Sequence, residues 1–250
     1  MELQIANKYS LRQIWIGIFL LALLLRVTLL YFSPQISRDG IYYVYQATGD
    51  LREDIPVIGV QAPLFPALLK GMYLCGISPH SGGLVLNLIV GSLIPLLVFM
   101  LANELKIKSF WCCFAALLAV VYPSFVQASI DVLRESLYLL FSALMVLLLV
   151  KGINNEKSGQ VYFVCAGAAG AAAALSRFEG WEAFAIVPLF LLIAQGGLEK
   201  PSRRKLCLFL ADFFCGWIAG IFLILAMIRY PYGSYFGILD SYLSKIFRFL

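Results

Sequence analysis

The stretch LVLNLIVGSLIPLLVFMLANE, from Leu84 to Glu104, is apolar over nearly its whole length and carries its only charge at the last residue. About 20 helical residues cross the hydrocarbon core of a bilayer, because each adds about 1.5 Å. Six further apolar runs, two of them short, follow the same pattern. The predicted spans are residues 13–32, 84–104, 109–123, 130–150, 160–176, 181–196 and 206–229. The sequence therefore predicts an all-α fold, a polytopic bundle of about seven transmembrane helices.

Composition supports this fold class independently of helix position. Hydrophobic residues make up 62% of the 250 residues and charged residues only 13%, with a mean hydropathy of +0.88. A soluble domain is about half apolar and about a quarter charged. The length suits a single transmembrane domain over residues 1–250. The Ala/Gly run 166–174 is predicted to be small-residue packing between helices.

Most lysines and arginines between the apolar runs lie in alternate loops, which are expected to be cytoplasmic. They orient a membrane protein, so the net charge of +5 does not predict a nucleic-acid partner. The N-terminus is then cytoplasmic, and residues 33–83 form a long outer stretch. The compact loops and the absence of glycosylation sequons favour a bacterial inner (plasma) membrane. The cations used are Lys8, Arg12, Lys106, Lys108, Lys151, Lys157, Lys200, Arg203, Arg204 and Lys205.

The outer stretch contains two segments suited to the membrane interface. Aromatic residues fill Ile41–Tyr45, and Pro63–Leu69 begins with a proline, which the first turn of a helix accepts. Both are predicted to be short helices on the membrane surface. Between them, the charged residues at 50–54 are predicted to form a solvated turn.

Further ionisable residues gather where predicted spans end on the outer side. Asp131, Arg134 and Glu135 have the spacing i, i+3, i+4, which predicts one shared helix face. Arg177 and Glu179 flank the next outer turn and are expected to meet them.

Charges at membrane depth usually face a cavity or each other, and two interpretations of this set stay open. In one, arginines hold a phosphate while a carboxylate acts as a base, with Asp39 brought close by the long loop. In the other, a salt-bridge network merely holds the helix ends. Arg26, inside the first span, is predicted to extend its guanidinium outward to the interface.

Some classes of enzyme are disfavoured by what the sequence lacks. It contains no glycine-rich phosphate loop, no Ser-His-Asp set and no signature of a nucleotide-binding fold. An enzyme of this composition is expected to take a donor that already resides in the membrane.

Five motifs, in order along roughly residues 10–230, resemble those of the GT-C membrane glycosyltransferases. The most similar branch contains the protein mannosyltransferases and the aminoarabinose transferases. The motifs are SRDGIYY (Ser37–Tyr43), QAPLFP (Gln61–Pro66), YPS (Tyr122–Ser124), DVLRE (Asp131–Glu135) and LSRFEG (Leu175–Gly180).

The resemblance implies a role for each matching residue. Asp39 matches the family's acidic residue in the first outer loop, which is either the base that activates the acceptor or an organiser of the site, and Glu135 matches an acidic residue on the fourth span. Asp131 is the second candidate for that position. The implied donor-phosphate ligands are Arg177, Arg134 and Arg38, and the other residues expected to line the site are Asp131, Glu179, Tyr42, Tyr43 and Pro63.

The resemblance also implies the partners of the chain. The donor is a sugar on a polyprenyl phosphate within the membrane lipid, and the acceptor is a lipid, a glycan or a protein. Many members have Asp-Glu where this chain has Asp39-Gly40, so one carboxylate stands where others have two. A divalent metal cofactor therefore stays an open question at the sequence level.

Two other functions stay open. Family members are usually longer than this chain. One alternative is therefore a chain truncated at the C-terminus that acts as a non-catalytic membrane scaffold. The other is a transporter or flippase of a lipid-linked sugar, which should place ionisable groups near mid-membrane and show related halves. The charges of this chain instead gather at one face, which favours the transferase.

Overall fold

The described part of the protein consists of helices and contains no strand. The structure, a computed structural model, describes residues 2–32, 36–48, 62–155, 159–194 and 203–232. In this part ten α-helices and a short 3₁₀ helix, Phe178–Glu182, follow one another. The α-helices are α1 (Glu2–Phe32), α2 (Arg38–Thr48), α3 (Leu64–Leu74), α4 (Pro79–Glu104), α5 (Ser109–Val121), α6 (Pro123–Ser129), α7 (Glu135–Asn154), α8 (Gly159–Ser176), α9 (Ala183–Ala194) and α10 (Arg203–Tyr232). The predicted all-α polytopic fold is confirmed.

Five helices of the described chain are long and apolar enough to cross a membrane, and they lie in α1, α4, α7, α8 and α10. The pair α5 and α6 makes six if it counts as one span bent by 55°. The described residues of the predicted span 181–196 belong to the 3₁₀ helix and to α9. With 12 residues, α9 is shorter than the about 17 that a span needs. The charged turn predicted at 50–54 lies outside the described residues.

The third predicted span, 109–123, ends at Pro123, where the chain bends by 55° from α5 into α6. Proline lacks an N–H and disfavours a helical conformation in the residue before it, and Tyr122 is accordingly extended, with φ −61° and ψ 119°. The break leaves carbonyl groups near the end of α5 without helical partners. One of them, the carbonyl of Val120, accepts a hydrogen bond from Nη1 of Arg26 at 3.4 Å.

Arg26 is fully buried, with 0% of its surface exposed. The predicted extension of its guanidinium to the interface is therefore wrong. The same Nη1 also donates to the carbonyl of Ala22 at 3.1 Å. Acceptors inside the bundle therefore bind Nη1, while Nε and Nη2 of Arg26 are buried and find no partner among the described residues.

Helices α8 and α10 pack with their backbones in close contact. A Cβ on Gly167 would collide with the carbonyl oxygen of Phe213, and one on Gly216 would collide with that of Val164. Most of the run 166–174 is buried. This confirms the predicted packing role of the small residues.

Replacing Gly167 with alanine should destabilise the bundle by about 1–3 kcal/mol, which is the usual cost of overpacking. Thermal unfolding of the purified protein in detergent measures the effect. Gly17→Ala is the matched control, because a Cβ at Gly17 would meet nothing within 4 Å. Equal melting temperatures for the two variants would contradict the close α8–α10 contact.

One end of the bundle collects the start of α2, the turn before α7 and the end of α8. Ser37 contacts Asp131 there, and Arg177 contacts Glu135. At the opposite end, Nδ2 of Asn154 donates to the carbonyl of Glu104 at 3.0 Å. We call the first of these the charged end, defined by Asp39, Asp131, Glu135 and Arg177.

Candidate functional site

Arg177 connects the end of α8 to the start of α7. Its Nη1 donates to Oε1 of Glu135 at 3.1 Å, while Nε and Nη2 donate to the two oxygens of Glu179 at 3.0 and 2.7 Å. The guanidinium also lies over the ring of Tyr138, 5.8 Å from its centroid. The side chains of Arg177 and Glu135 are each 28% exposed. The expected meeting of these three charged residues is therefore present at a partly buried position.

The backbone after α8 explains how Arg177 and Glu179 come to point the same way. Arg177 is extended, with φ −148° and ψ 149°, and the N–H of Gly180 donates to its carbonyl at 3.0 Å. Gly180 packs against the backbone of Ala173 and Ala174, where a Cβ would collide. Because Gly180 has no side chain, the 3₁₀ turn can fold back onto the end of α8.

The ion pair changes the pKa of both partners. The hydrogen bond from Arg177 lowers the pKa of Glu179 below its usual value, and the same bond raises the pKa of Arg177. Both side chains therefore stay charged over a wider pH range than isolated residues would.

Arg177→Gln should raise the pKa of Glu179 toward that of an ordinary glutamate, because the charged hydrogen-bond donor is lost. Since the folded-state pKa of Glu179 lies below the unfolded one, the pair stabilises the native state above the unfolded pKa. That contribution is lost as the pH falls through the folded pKa. A nuclear magnetic resonance titration of isotope-labelled glutamate, in the wild type and the variant, measures the shift. An identical pKa in both proteins would contradict this assignment.

Tyr43, on α2, is a buried tyrosine four residues after Asp39. Its side chain is 2% exposed, and its ring meets that of Phe65 edge to face at 5.2 Å. Burial raises the pKa of Tyr43 well above its usual value, so its hydroxyl stays protonated. The charged groups that also act on this pKa are Arg134, Glu135, Asp39 and Arg177.

Asp39 itself lies in the first turn of α2 and is exposed. Within the described part of the chain it forms no hydrogen bond or ion pair, so the structure does not pair it with Glu135 or Arg177. Arg38, beside it, is exposed as well. The Asp39 carboxylate is therefore exposed at the charged end and has no partner among the described residues.

Two polar atoms beside the ion pair have unused hydrogen-bonding capacity. Nε of Arg134 and Oε2 of Glu135 are buried and find no partner among the described residues. Buried polar groups are normally hydrogen-bonded, and a catalytic or binding role is one of the reasons for an exception. These atoms are candidates for contacts to a bound ligand.

Asp131 does not share a helix face with Arg134 and Glu135, and that prediction is wrong. Helix α7 begins at Glu135, Arg134 is its N-cap, and Asp131 lies in the preceding turn. Nδ2 of Asn87 donates to the carbonyls of Asp131 and Leu133 at 2.6 and 2.7 Å. Because these carbonyls are bound by Asn87, the turn replaces the first helical residues that the spacing predicted.

The remaining predicted residues lie on α2 and at the start of α3. Tyr42 is half-buried, with its ring 6.5 Å from that of Tyr43, and Pro63 is the buried N-cap residue of α3. Sequence reasoning missed Tyr138 and Asn87. Tyr138 lies three residues after Glu135, a spacing that could have indicated its position. Among the described residues, no group of three or more His, Cys, Asp and Glu could hold a metal ion.

Comparison with known proteins assigns the chain to a family. Residues 60–229 match the family described as dolichyl-phosphate-mannose-protein mannosyltransferase. The matched range contains Glu135 and Arg177 and begins after Asp39. No curated protein and no solved structure gives a significant match. Since the match covers more than half of the 250 residues, the chain belongs to this GT-C family and is a multi-pass membrane glycosyltransferase of the kind that uses polyprenyl-phosphate-linked sugars.

Proposed function

We propose that this protein transfers a sugar from a polyprenyl phosphate to an acceptor hydroxyl at the charged end of the bundle, with inversion at the anomeric carbon. The observation that carries the proposal is the contact of Arg177 with Glu135 and Glu179 at this end, beside the buried Oε2 of Glu135, which has no partner among the described residues. Asp39 is exposed in the first turn of α2, a turn that Asp131 ties to the same end. By the distribution of lysine and arginine, this end faces the outer side and the N-terminus is cytoplasmic.

Arg177 is the proposed ligand of the donor phosphate. Of its five N–H donors, three are used by Glu135 and Glu179, which leaves two for a phosphate. The two carboxylates hold the planar guanidinium in one orientation before the donor arrives. Such preorganised donors stabilise the charge that develops on the leaving phosphate.

Arg134 and Arg38 are proposed as further phosphate ligands. Carboxylates outnumber arginines at the charged end, so the net charge there does not attract a phosphate by itself. Phosphate binding then relies on directed guanidinium hydrogen bonds rather than on a positive field. The charged residues considered are three arginines (Arg38, Arg134, Arg177) and four carboxylates (Asp39, Asp131, Glu135, Glu179).

Asp39 is proposed to accept the proton of the acceptor hydroxyl as the sugar is transferred. It has no hydrogen bond or ion pair within the described chain, whereas Glu135, Glu179 and Asp131 are each engaged by other groups. A general base must come within hydrogen-bond distance of the proton that it accepts, and an exposed carboxylate without a partner among the described residues is accessible to an acceptor hydroxyl. Glu135 is then the residue that orients Arg177.

The family description names a dolichyl-phosphate mannose donor and a protein acceptor. We therefore propose a polyprenyl-phosphate mannose as the first donor to test, with peptide, glycan and lipid acceptors supplied separately. The membrane proposed is a bacterial inner membrane, where such donors are embedded in the lipid around the spans.

Transfer of radiolabelled mannose from a polyprenyl-phosphate donor, by purified protein in lipid vesicles, tests the proposal. Labelled acceptor with inverted anomeric configuration supports it. Movement of the intact donor between leaflets without labelled acceptor would indicate a flippase. Folded protein that neither transfers nor moves the donor would overturn the proposal and favour a scaffold.

A further inference from the structure

The first turn of α2 is capped by a serine. Oγ of Ser37 accepts a hydrogen bond from the N–H of Gly40 at 3.1 Å, and its carbonyl accepts one from the N–H of Ile41 at 3.0 Å. Ser37 is therefore the N-cap residue and Gly40 the third residue of the helix. In a capping box, the third helical residue is Glu or Gln, and its side chain reaches back to the N–H of the N-cap residue.

In this protein a distant residue supplies that carboxylate. The two oxygens of Asp131 accept hydrogen bonds from the N–H of Ser37 at 3.2 and 3.1 Å, although the two residues are 94 positions apart. Oδ1 of Asp131 also accepts from its neighbour, the N–H of Val132, at 2.7 Å. Asp131 is only 9% exposed, so these bonds are shielded from water.

A side chain at residue 40 and the carboxylate of Asp131 would compete for the same space beside Ser37. A Cβ on Gly40 would lie 2.9 Å from Oδ1 of Asp131 and 2.9 Å from Cγ1 of Ile36. A local capping box would need a side chain at residue 40, and that side chain would displace the Asp131 carboxylate. The absence of a side chain at Gly40 thus allows the distant carboxylate to reach Ser37.

The Asp131 carboxylate is itself held in place by its own turn. Nδ2 of Asn87, on α4, binds the carbonyls on either side of Val132, at 2.6 Å for Asp131 and 2.7 Å for Leu133. The connection therefore runs from a spanning helix through the turn before α7 to the first turn of α2. Asp39 lies in that first turn, two residues after Ser37.

We propose that Asp131 is a positioning residue, which completes a capping box split between two segments and so holds Asp39 at the charged end. The inference rests on the proposed function of Asp39 as the base. Asp131 contacts no substrate in this account and acts through the backbone of Ser37.

Three variants test the split capping box: Asp131→Ala, Gly40→Glu and the double variant. Asp131→Ala should make the amides of residues 38–44 exchange with deuterium roughly threefold to tenfold faster, as expected for a lost cap. It should lower kcat roughly tenfold to a hundredfold through misplacement of Asp39, with the donor KM little changed. Gly40→Glu alone should also speed amide exchange over residues 38–44 and lower kcat, because the new side chain collides with the Asp131 carboxylate.

The double variant is the decisive measurement. Asp131→Ala removes the closest polar contact of a Cβ at residue 40, and the remaining close contact, to Cγ1 of Ile36, is relieved by a small shift of that flexible side chain. The carboxylate introduced by Gly40→Glu can then bind the N–H of Ser37 and restore a local capping box. Slow exchange over residues 38–44 and most of kcat should return, a rescue that a mere cavity at residue 131 does not predict. Glu104→Ala is the control, since it removes a carboxylate whose residue also makes a cross-helix hydrogen bond, but at the opposite end.

Amide exchange tests the split capping box, and the sugar-transfer assay tests the proposed function, so the two can fail independently. Unchanged exchange and kcat in Asp131→Ala would overturn the inference, as would a double variant that recovers neither. Wild-type protein without transfer, but with the expected exchange pattern in all variants, would support the cap and overturn the role of Asp39 as a base.

Discussion

Arg177→Gln should lower sugar transfer by roughly a hundredfold to a thousandfold, which corresponds to about 2.7–4 kcal/mol for one preorganised donor of charge stabilisation. The substitution removes the proposed phosphate ligand. It also leaves Glu135 and Glu179 without the group that binds three of their oxygens. Initial transfer rates at saturating donor, with purified protein in lipid, measure the loss.

Arg177→Lys should recover only a small part of that loss, because an ammonium group keeps the charge but not the planar pair of donors. Arg12→Gln serves as the control, since Arg12 is exposed on α1 and lies at the end opposite to the site. Wild-type rates in Arg177→Gln would show that this arginine only holds helix ends together, and the salt-bridge interpretation would then replace the catalytic one.

Asp39→Asn should lower transfer by roughly a hundredfold to ten thousandfold, the usual range for a general base. The amide has the size of the carboxylate, and Asp39 makes no hydrogen bond or ion pair to another described residue. Membrane insertion and thermal stability should therefore be unchanged. The transfer assay and a melting curve on the same preparation check the two halves of this expectation.

Glu104→Gln is the chemically matched control for Asp39→Asn, because it makes the same change at the opposite end of the bundle. An Asp39→Asn protein with wild-type turnover would end the assignment of this residue as the base. Equal losses in Asp39→Asn and Glu104→Gln would point to a general effect of lost charge.

The contacts of Arg177 at the charged end follow from where the spans end, whereas the place of Asp131 does not. Arg177, Glu179 and Glu135 were expected to meet because they lie at span ends on the same side, and they do. Asp131 was expected to join them on a helix face, but the spacing rule holds only where the helix has begun. Its carboxylate binds the backbone of Ser37 instead.

At Gly40, a comparison of neighbouring residues with the family motif misses a carboxylate that comes from a distant part of the chain. On the sequence it marks the loss of one carboxylate beside Asp39. In the structure a carboxylate lies next to Gly40 after all, supplied by Asp131, whose Oδ1 would be 2.9 Å from a Cβ there. No pattern in the sequence near Gly40 indicates this partner.

The sequence by itself determined that this is an all-α membrane protein, where most of its spans lie and which span ends carry charge. Those properties depend on the length and polarity of continuous runs, and each run meets the lipid on its own. The tertiary structure alone decided that Arg26 binds the carbonyl of Val120 inside the bundle and that Asp131 caps α2. The partners in these bonds are 94 residues apart. Such a partner is chosen by how the helices pack, and no local pattern of residues encodes it.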